Sequence, residues 1–356
     1  MKNQKLFVII TGGLIGIIAV LLVIFGNPAN MGFCIACFLR DTAGALQLHQ
    51  APVVQYMRPE IIGLVLGSAI MALSGKELVA RTGSNPLVRF ILGFFVMVGA
   101  LMFLGCPLRM MLRLGAGDLN ALVGLVGFAL GIGCGIIALN KGFSLGRSYK
   151  VSLGEAAVFP VIQIVFLAAL AFFPAVLAFS EKGPGSMHAS IIISLIAGLI
   201  VGALCQKSRF CMAAGIRDSI MFKDFTLLLG FVALLVTCVI MNLIVGKFNL
   251  GFEAQPIAHS DAVWNLLGMV LVGFASVLLG GCPLRQLILS GEGNIDSVIT
   301  VIGMTVGAAF CHNFGLASSA DGTTANGHIA VIFGLIVTLV IAIVNIMGNN
   351  KKAGIK

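Results

Sequence analysis

The sequence predicts an all-α polytopic membrane protein with two inverted repeats, about nine to ten transmembrane helices and four short re-entrant helices. Three observations predict it. Hydrophobic residues make up 59% of the 356-residue chain and charged residues only 10%, a balance that no soluble core of this length needs. Apolar runs approach or exceed the ~20 residues that cross a hydrocarbon layer as helix, and they are continuous rather than alternating as barrel strands would be. Finally, one pentapeptide occurs twice.

The runs fall near residues 6–26, 60–74, 87–105, 119–139, 154–179, 188–205, 225–246, 263–281, 295–313 and 328–347. The first is too long for a signal-peptide core and has no small-residue cleavage site before a hydrophilic stretch, so it reads as a retained span. The second is the shortest. Threaded from a cytoplasmic N-terminus, these spans leave only Arg40, Arg58, Arg109, Arg113, Lys182 and Lys247 outside. The other sixteen of the twenty-two Lys and Arg fall inside, the bias that positive-inside topology expects. Both termini are then cytoplasmic, in a cytoplasmic (inner) membrane. The net charge of +9 is distributed between spans, so topology explains it and nucleic-acid binding does not. The nine cysteines have neither the density nor the spacing of a disulfide scaffold, and reduced thiols are expected.

Gly105-Cys106-Pro107-Leu108-Arg109 recurs as Gly281-Cys282-Pro283-Leu284-Arg285, and Gly115 and Gly117 recur as Gly291 and Gly293. Asp118 aligns with Asn294, whereas Arg113 meets Leu289. Upstream, Phe33-Cys34 with Arg40-Asp41 returns as Phe210-Cys211 with Arg217-Asp218 at nearly the same offset. Five spans separate the two copies, and an odd number inverts the second. The expected organisation is a first repeat over 1–150, a connecting span and loop over 151–187, a second repeat over 188–313, and a final span with its tail over 314–356. Secondary transporters are commonly built from inverted repeats, with the substrate site where broken helices meet near the midplane.

Proline suits the first position of a helix because it has no amide hydrogen to satisfy. Cys106 and Cys282 therefore fall at N-caps, where the helix dipole and free amides favour anions and thiolates. The glycine pairs downstream would end each short helix and turn the chain back. Asn27-Pro28 before Cys34, and Gln206-Lys207-Ser208 before Cys211, break the preceding spans in the same way. Four half-helices would then meet with four cysteines. A free Cys is also a good small buried hydrophobe, and that reading suits Cys134, Cys205, Cys238 and Cys311. Cys37 forms Cys-x-x-Cys with Cys34, a spacing shared by redox and zinc sites, but its counterpart is Ala214 and a second pair for tetrahedral zinc is lacking. Arg109 and Arg285 are placed to draw anions to the mouths of a path. The Arg40-Asp41 and Arg217-Asp218 pairs, Glu155 and His312 read as structural.

These elements, with many-span hydropathy, make the chain resemble the YeeE/YedE sulfur-transport family over nearly its whole length. The form of residues 105–117 is most similar to the YedE branch associated with selenium metabolism. That resemblance implies an hourglass-shaped transporter for thiosulfate or a related selenium species, often with nine full spans. It also implies a pore in which cysteines pass the anion by thiol hydrogen bonds, carried over to Cys34, Cys106, Cys211 and Cys282. The substrate-binding set expected is those four with Arg109 and Arg285, in a lipid-embedded protein that is not an enzyme and uses neither cofactor nor metal. A cytoplasmic sulfur- or selenium-handling partner is a further expectation. The alternative is a membrane thiol-redox or chalcogen-transfer enzyme using Cys34 and Cys37.

Overall fold

The computed structural model describes residues 2–78 and 80–352. Lys356, counted above among the cytoplasmic charges, lies outside them, as do the side chains of Lys2 and Lys352. The protein is an all-α polytopic membrane protein: nine helical segments among the described residues are long and apolar enough to cross a membrane, and a shorter apolar helix covers Pro59–Ser74.

In chain order, a long helix α1 (Lys2–Ile24) is followed by a short helix α2 (Ile35–Ala45), then α3 (Pro59–Ser74), α4 (Pro86–Phe103), a second short helix α5 (Pro107–Gly115) and α6 (Asn120–Asn140). After α7 (Leu153–Phe172) the same order returns: α8 (Ile191–Ser208), short α9 (Met212–Met221), α10 (Thr226–Val245), α11 (Ala262–Leu279), short α12 (Pro283–Gly291) and α13 (Ile295–Asn313). Helix α14 (Ala325–Lys352) closes the chain. The fifth apolar run ends earlier than its hydropathy suggests, because Pro174 follows α7 and starts a single 3-10 turn, Pro174–Val176. Ser152 caps α7, its Oγ accepting from Glu155 N at 3.4 Å and donating to the Glu155 carboxylate at 2.8 Å.

The two sets interlock. Helix α1 packs along α10 and α3 along α8, while α4 packs along α13 and α6 along α11, with α4 and α11 touching at the centre. Lipid gives no hydrophobic drive for such pairing, so close approach must supply van der Waals contact. At the α3–α8 crossing a Cβ on Gly63 would lie 2.8 Å from Gly198 Cα, so only glycine lets these backbones meet. Large apolar side chains such as Leu130, Val161, Ile196, Val236 and Ile336 are instead exposed on the outside, the inverse of a soluble surface and what a lipid solvent requires.

Connections sort onto two faces. On the first, where α1 begins, β1 (Arg81–Thr82) pairs antiparallel with β2 (Tyr149–Lys150), and Asp296 accepts from Thr82 Oγ1 at 3.0 Å. On the second, Ser180 Oγ accepts from Gln55 N at 2.7 Å and Asn313 Nδ2 donates to Leu48 O at 2.9 Å. Helix α1 therefore runs from the first face to the second, and α8 runs back.

Candidate functional site

Each short helix begins on a cysteine. Cys34 and Cys211 cap α2 and α9 with extended backbone, their sulfurs accepting from Cys37 N at 3.2 Å and Ala214 N at 3.4 Å. Cys106 and Cys282 cap α5 and α12, each followed by Pro at the first helical position. The helices stop at Gly115 and Gly291. Two residues on, Gly117 (φ +98°) and Gly293 (φ +91°) adopt a left-handed backbone that an L side chain resists.

The caps meet in pairs. Cys34 and Cys106 lie beside one another, and Cys211 donates to Cys282 with the sulfurs 3.8 Å apart. The Cys282 amide also points at Cys211 Sγ, 3.5 Å away. Helix α2 touches α12 and α5 touches α9, so the two thiol pairs, all four buried, cap short helices that contact one another. All nine cysteines are free. Among the described residues, no three His, Cys, Asp or Glu side chains converge as a metal would need. Helix N-terminal amides and weak thiol donors are chemically suited to a negatively charged, polarizable solute.

The two arginines of the pentapeptides differ. Arg109 is fully buried. Its guanidinium donates to Asn30 O at 3.1 Å, Ile257 O at 3.0 Å, Leu104 O, and Cys37 Sγ at 3.5 Å, and among the described residues it meets no carboxylate. Leu104, whose carbonyl it holds, ends α4 in a left-handed conformation (φ 60°), which is costly for a branched side chain. Arg285 pairs with Glu292 at 2.8 Å, and Glu292 also receives Arg209 at 3.0 Å. Arg209 and Lys207 reach Glu77 at 2.8 and 3.1 Å. Bonds from Gln206 and Lys207, then the charge of Arg209, hold the Glu77 carboxyl below its ordinary pKa.

Above Arg109 a cavity of about 280 Å³ opens between Val23, Ala29, Asn30, Asn242, Lys247 and Pro256. Its lining includes Asn30, whose buried amide nitrogen has no partner among the described residues and whose carbonyl takes the Arg109 bond. Arg109 thus lies beneath this cavity, and Lys247 stands at its rim.

Of the six residues expected from sequence, Cys34 with Cys106 and Cys211 with Cys282 come together as pairs. Arg109 joins the first pair through Cys37, and it lies inside the protein rather than at an open mouth. Arg285 stands on the first-face side, occupied by Glu292. Arg40–Asp41 (2.7 Å) and Arg217–Asp218 (2.8 Å) are local ion pairs, but the first is buried and Asp41 also takes Arg58 at 2.8 Å. Arg113 pairs with Asp118 at 2.6 Å, wholly buried. Sequence reasoning missed Glu292 as the partner of Arg285, although it directly follows the short helix, where its counterpart is Ala116. It also missed Glu60, which stands at the edge of the shortest apolar run.

Residues 207–349 match a protein-family model described as "Sulphur transport", a stretch that contains Cys211, Cys282 and Arg285. A curated relative, the thiosulfate transporter TsuA of Escherichia coli (strain K12), is 30% identical over 165 residues, covering 44% of this chain and 45% of that protein. The chain thus aligns with less than half the length of this relative. Its second set of helices is similar in sequence to sulfur-transport proteins.

Proposed function

We propose that this protein carries a small sulfur-containing anion of the thiosulfate type, or its selenium-containing analogue, across the cytoplasmic membrane by handing it between two thiol pairs. The observation that carries the reading is the presence of two buried pairs of N-cap cysteines, Cys34 with Cys106 and Cys211 with Cys282, on short helices that contact one another. In this reading residues 1–150 and 188–313 are inverted repeats, both termini are cytoplasmic, and the thiol pairs are successive stations. Thiols are weak donors that suit a soft chalcogen atom better than a hard oxyanion, and weak serial sites allow release. Arg109, buried without a carboxylate beneath the second-face cavity, attracts the anion to the first station. Glu292 tempers Arg285 at the other end and favours departure. The similarity to sulfur-transport proteins supports the cargo class, and a cytoplasmic sulfur- or selenium-handling protein would receive it.

Uptake of labelled thiosulfate and of labelled selenite by cells expressing the protein tests this reading. Cys106→Ala and Cys282→Ala are expected to reduce uptake at least tenfold, with Cys106→Ser and Cys282→Ser retaining part of it by hydrogen bonding. Unchanged uptake in both alanine variants overturns the relay. A second reading, thiol-disulfide exchange by Cys34 and Cys37, is favoured by the N-cap position of Cys34, whose sulfur accepts from Cys37 N, and by the Arg109 contact to Cys37. It requires Cys37, so a fully active Cys37→Ala protein excludes it.

A further inference from the structure

Glu60, the second residue of α3, is completely buried. Its Oε1 accepts from Asn27 Nδ2 at 2.8 Å and from Ser194 Oγ at 2.9 Å. Its Oε2 is equally buried and has no partner among the described residues. Both donors are neutral. Arg58, two residues earlier, is spent on Asp41 (2.8 Å) and on the carbonyls of Pro184 (2.8 Å) and Met187 (3.1 Å). Around Glu60, α1 contributes Asn27 through the loop that follows it, α8 contributes Ser194, and α2 contributes Asp41 already tied to Arg40 and Arg58. The segment before α3 brings Tyr56, and the segment before α8 brings His188. Helices α7 and α12, also packed on α3, keep Glu155 and Arg285 near the first face.

A carboxylate with one unsolvated oxygen and no counter-charge is expensive in a membrane interior, whereas the neutral acid is not. Such groups mark proton pathways. Asn27 makes the site more than a buried acid, because the same side chain donates to Gly32 O at 3.2 Å and accepts from Ala189 N at 2.9 Å. It ties Glu60 at once to the loop carrying Cys34 and to the start of α8. A proton gained or lost at Glu60 therefore acts on the anchor of a thiol station and on a helix of the other set. Access from the second face is at hand: the exposed His188 ring stacks on Tyr56 with centroids 3.9 Å apart, and the buried Tyr56 hydroxyl has no partner among the described residues. Burial pushes the Tyr56 pKa up, so this hydroxyl keeps its proton and can donate.

The second set of helices lacks the constellation. The second residue of α10 is Leu227, and Leu204 stands seven residues before Cys211 where Asn27 stands seven before Cys34. We propose that Glu60 is a membrane-embedded proton-binding site, loaded from the second face, that couples proton entry to anion uptake. The coupling, unlike the proton site, rests on the transport reading above. It meets a physical need, since an anion entering a negative-inside compartment moves against the potential and each co-transported proton offsets one unit of its charge.

The test uses the purified full chain in phosphatidylethanolamine/phosphatidylglycerol liposomes with a trapped pH-sensitive dye and an inward thiosulfate gradient. The wild type is expected to acidify the lumen as thiosulfate enters. Glu60→Gln, which keeps an oxygen for Asn27 and Ser194, is expected to retain thiosulfate exchange while acidification falls at least tenfold. Acidification by Glu60→Gln equal to wild type overturns the coupling. Infrared difference spectra across a pH titration read the proton site without transport. A carboxylic-acid carbonyl band present in wild type and absent from Glu60→Gln supports it, and identical spectra overturn it. If wild-type liposomes move neither thiosulfate nor selenite, the transport reading and the coupling fall together, and the infrared band still decides whether Glu60 holds a proton.

Discussion

The two Gly-Cys-Pro-Leu-Arg segments share a backbone and differ in charge. In the second, Arg285 is answered by Glu292 at 2.8 Å. In the first the equivalent of Glu292 is Ala116, and Asp118, the nearest acid in sequence, is taken by Arg113 at 2.6 Å. The first segment thus carries a cation held by backbone carbonyls and a thiol, and the second a neutralised pair. Differences at three positions leave the first segment, with Arg109, Arg113 and Asp118, one cation in excess of its acids, and the second, with Arg285 and Glu292, none. A path that must attract an anion at one end and release it at the other needs that inequality.

The largest effect is expected where the halves are made alike at Asp118. Asp118→Asn copies Asn294 into the first segment and leaves Arg113 buried without its carboxylate, facing only Phe103 O and the Phe103 ring. Stranding one member of a buried pair costs about 3–5 kcal/mol, so thermal melting of the detergent-solubilised variant should show severe destabilisation. The reciprocal Asn294→Asp should change little, because Asn294 serves only as the N-cap of α13, where aspartate is as good. Equal effects would abolish the distinction drawn between the segments.

Arg109→Gln comes next. It removes the uncompensated cation while leaving Arg113–Asp118 intact, and thiosulfate uptake should fall by roughly 30-fold, about 2 kcal/mol at 1.36 kcal/mol per decade, mostly through a raised KM. The matching change on the other side, Glu292→Gln, frees Arg285 and is expected to slow release, lowering maximal uptake by about tenfold, or about 1.4 kcal/mol, with KM lowered rather than raised. Opposite movements of KM would confirm that charge, not packing, distinguishes the ends.

Much of this was legible from residues alone. Long apolar runs, a doubled pentapeptide and proline after cysteine are local signals, and each forces a backbone outcome: a span, a repeat, an N-cap. The pairing of Cys34 with Cys106 was not legible, because 72 residues and three helices separate them and only packing brings the caps together. The state of each arginine was hidden for a similar reason. Arg109 and Arg285 are identical in sequence context for five residues, and their difference depends on whether a side chain seven positions later is Ala116 or Glu292. Glu60 was hidden by its position at the margin of an apolar run, where an acid normally caps a helix in water. Here Asn27 and Ser194, from elsewhere in the chain, enclose it.

The smallest effect compares two histidines in second-face loops. His49, after α2, bonds Arg40 O at 3.0 Å through Nε2 and accepts from Ala51 N through Nδ1. His259, before α11, repeats this with Met102 O at 2.7 Å and Asp261 N. An imidazole that accepts at Nδ1 is neutral, and burial, opposed by the backbone bond and aided by Arg40 or Arg113, holds both below the ordinary value of 6.5. The folded protein therefore binds fewer protons than the unfolded chain once pH drops below that value. Stability should be flat above it and decline as pH falls through it toward the folded pKa values. The expected signature is a drop of no more than a few degrees in melting temperature, part of which disappears in His49→Gln and part in His259→Gln. Because these loops flank Arg40–Asp41 on one side and Arg113–Asp118 on the other, unequal flattening by the two substitutions would rank how tightly each buried ion pair is held. A slope that survives both substitutions would assign the acid sensitivity to other groups and remove the histidines from the comparison.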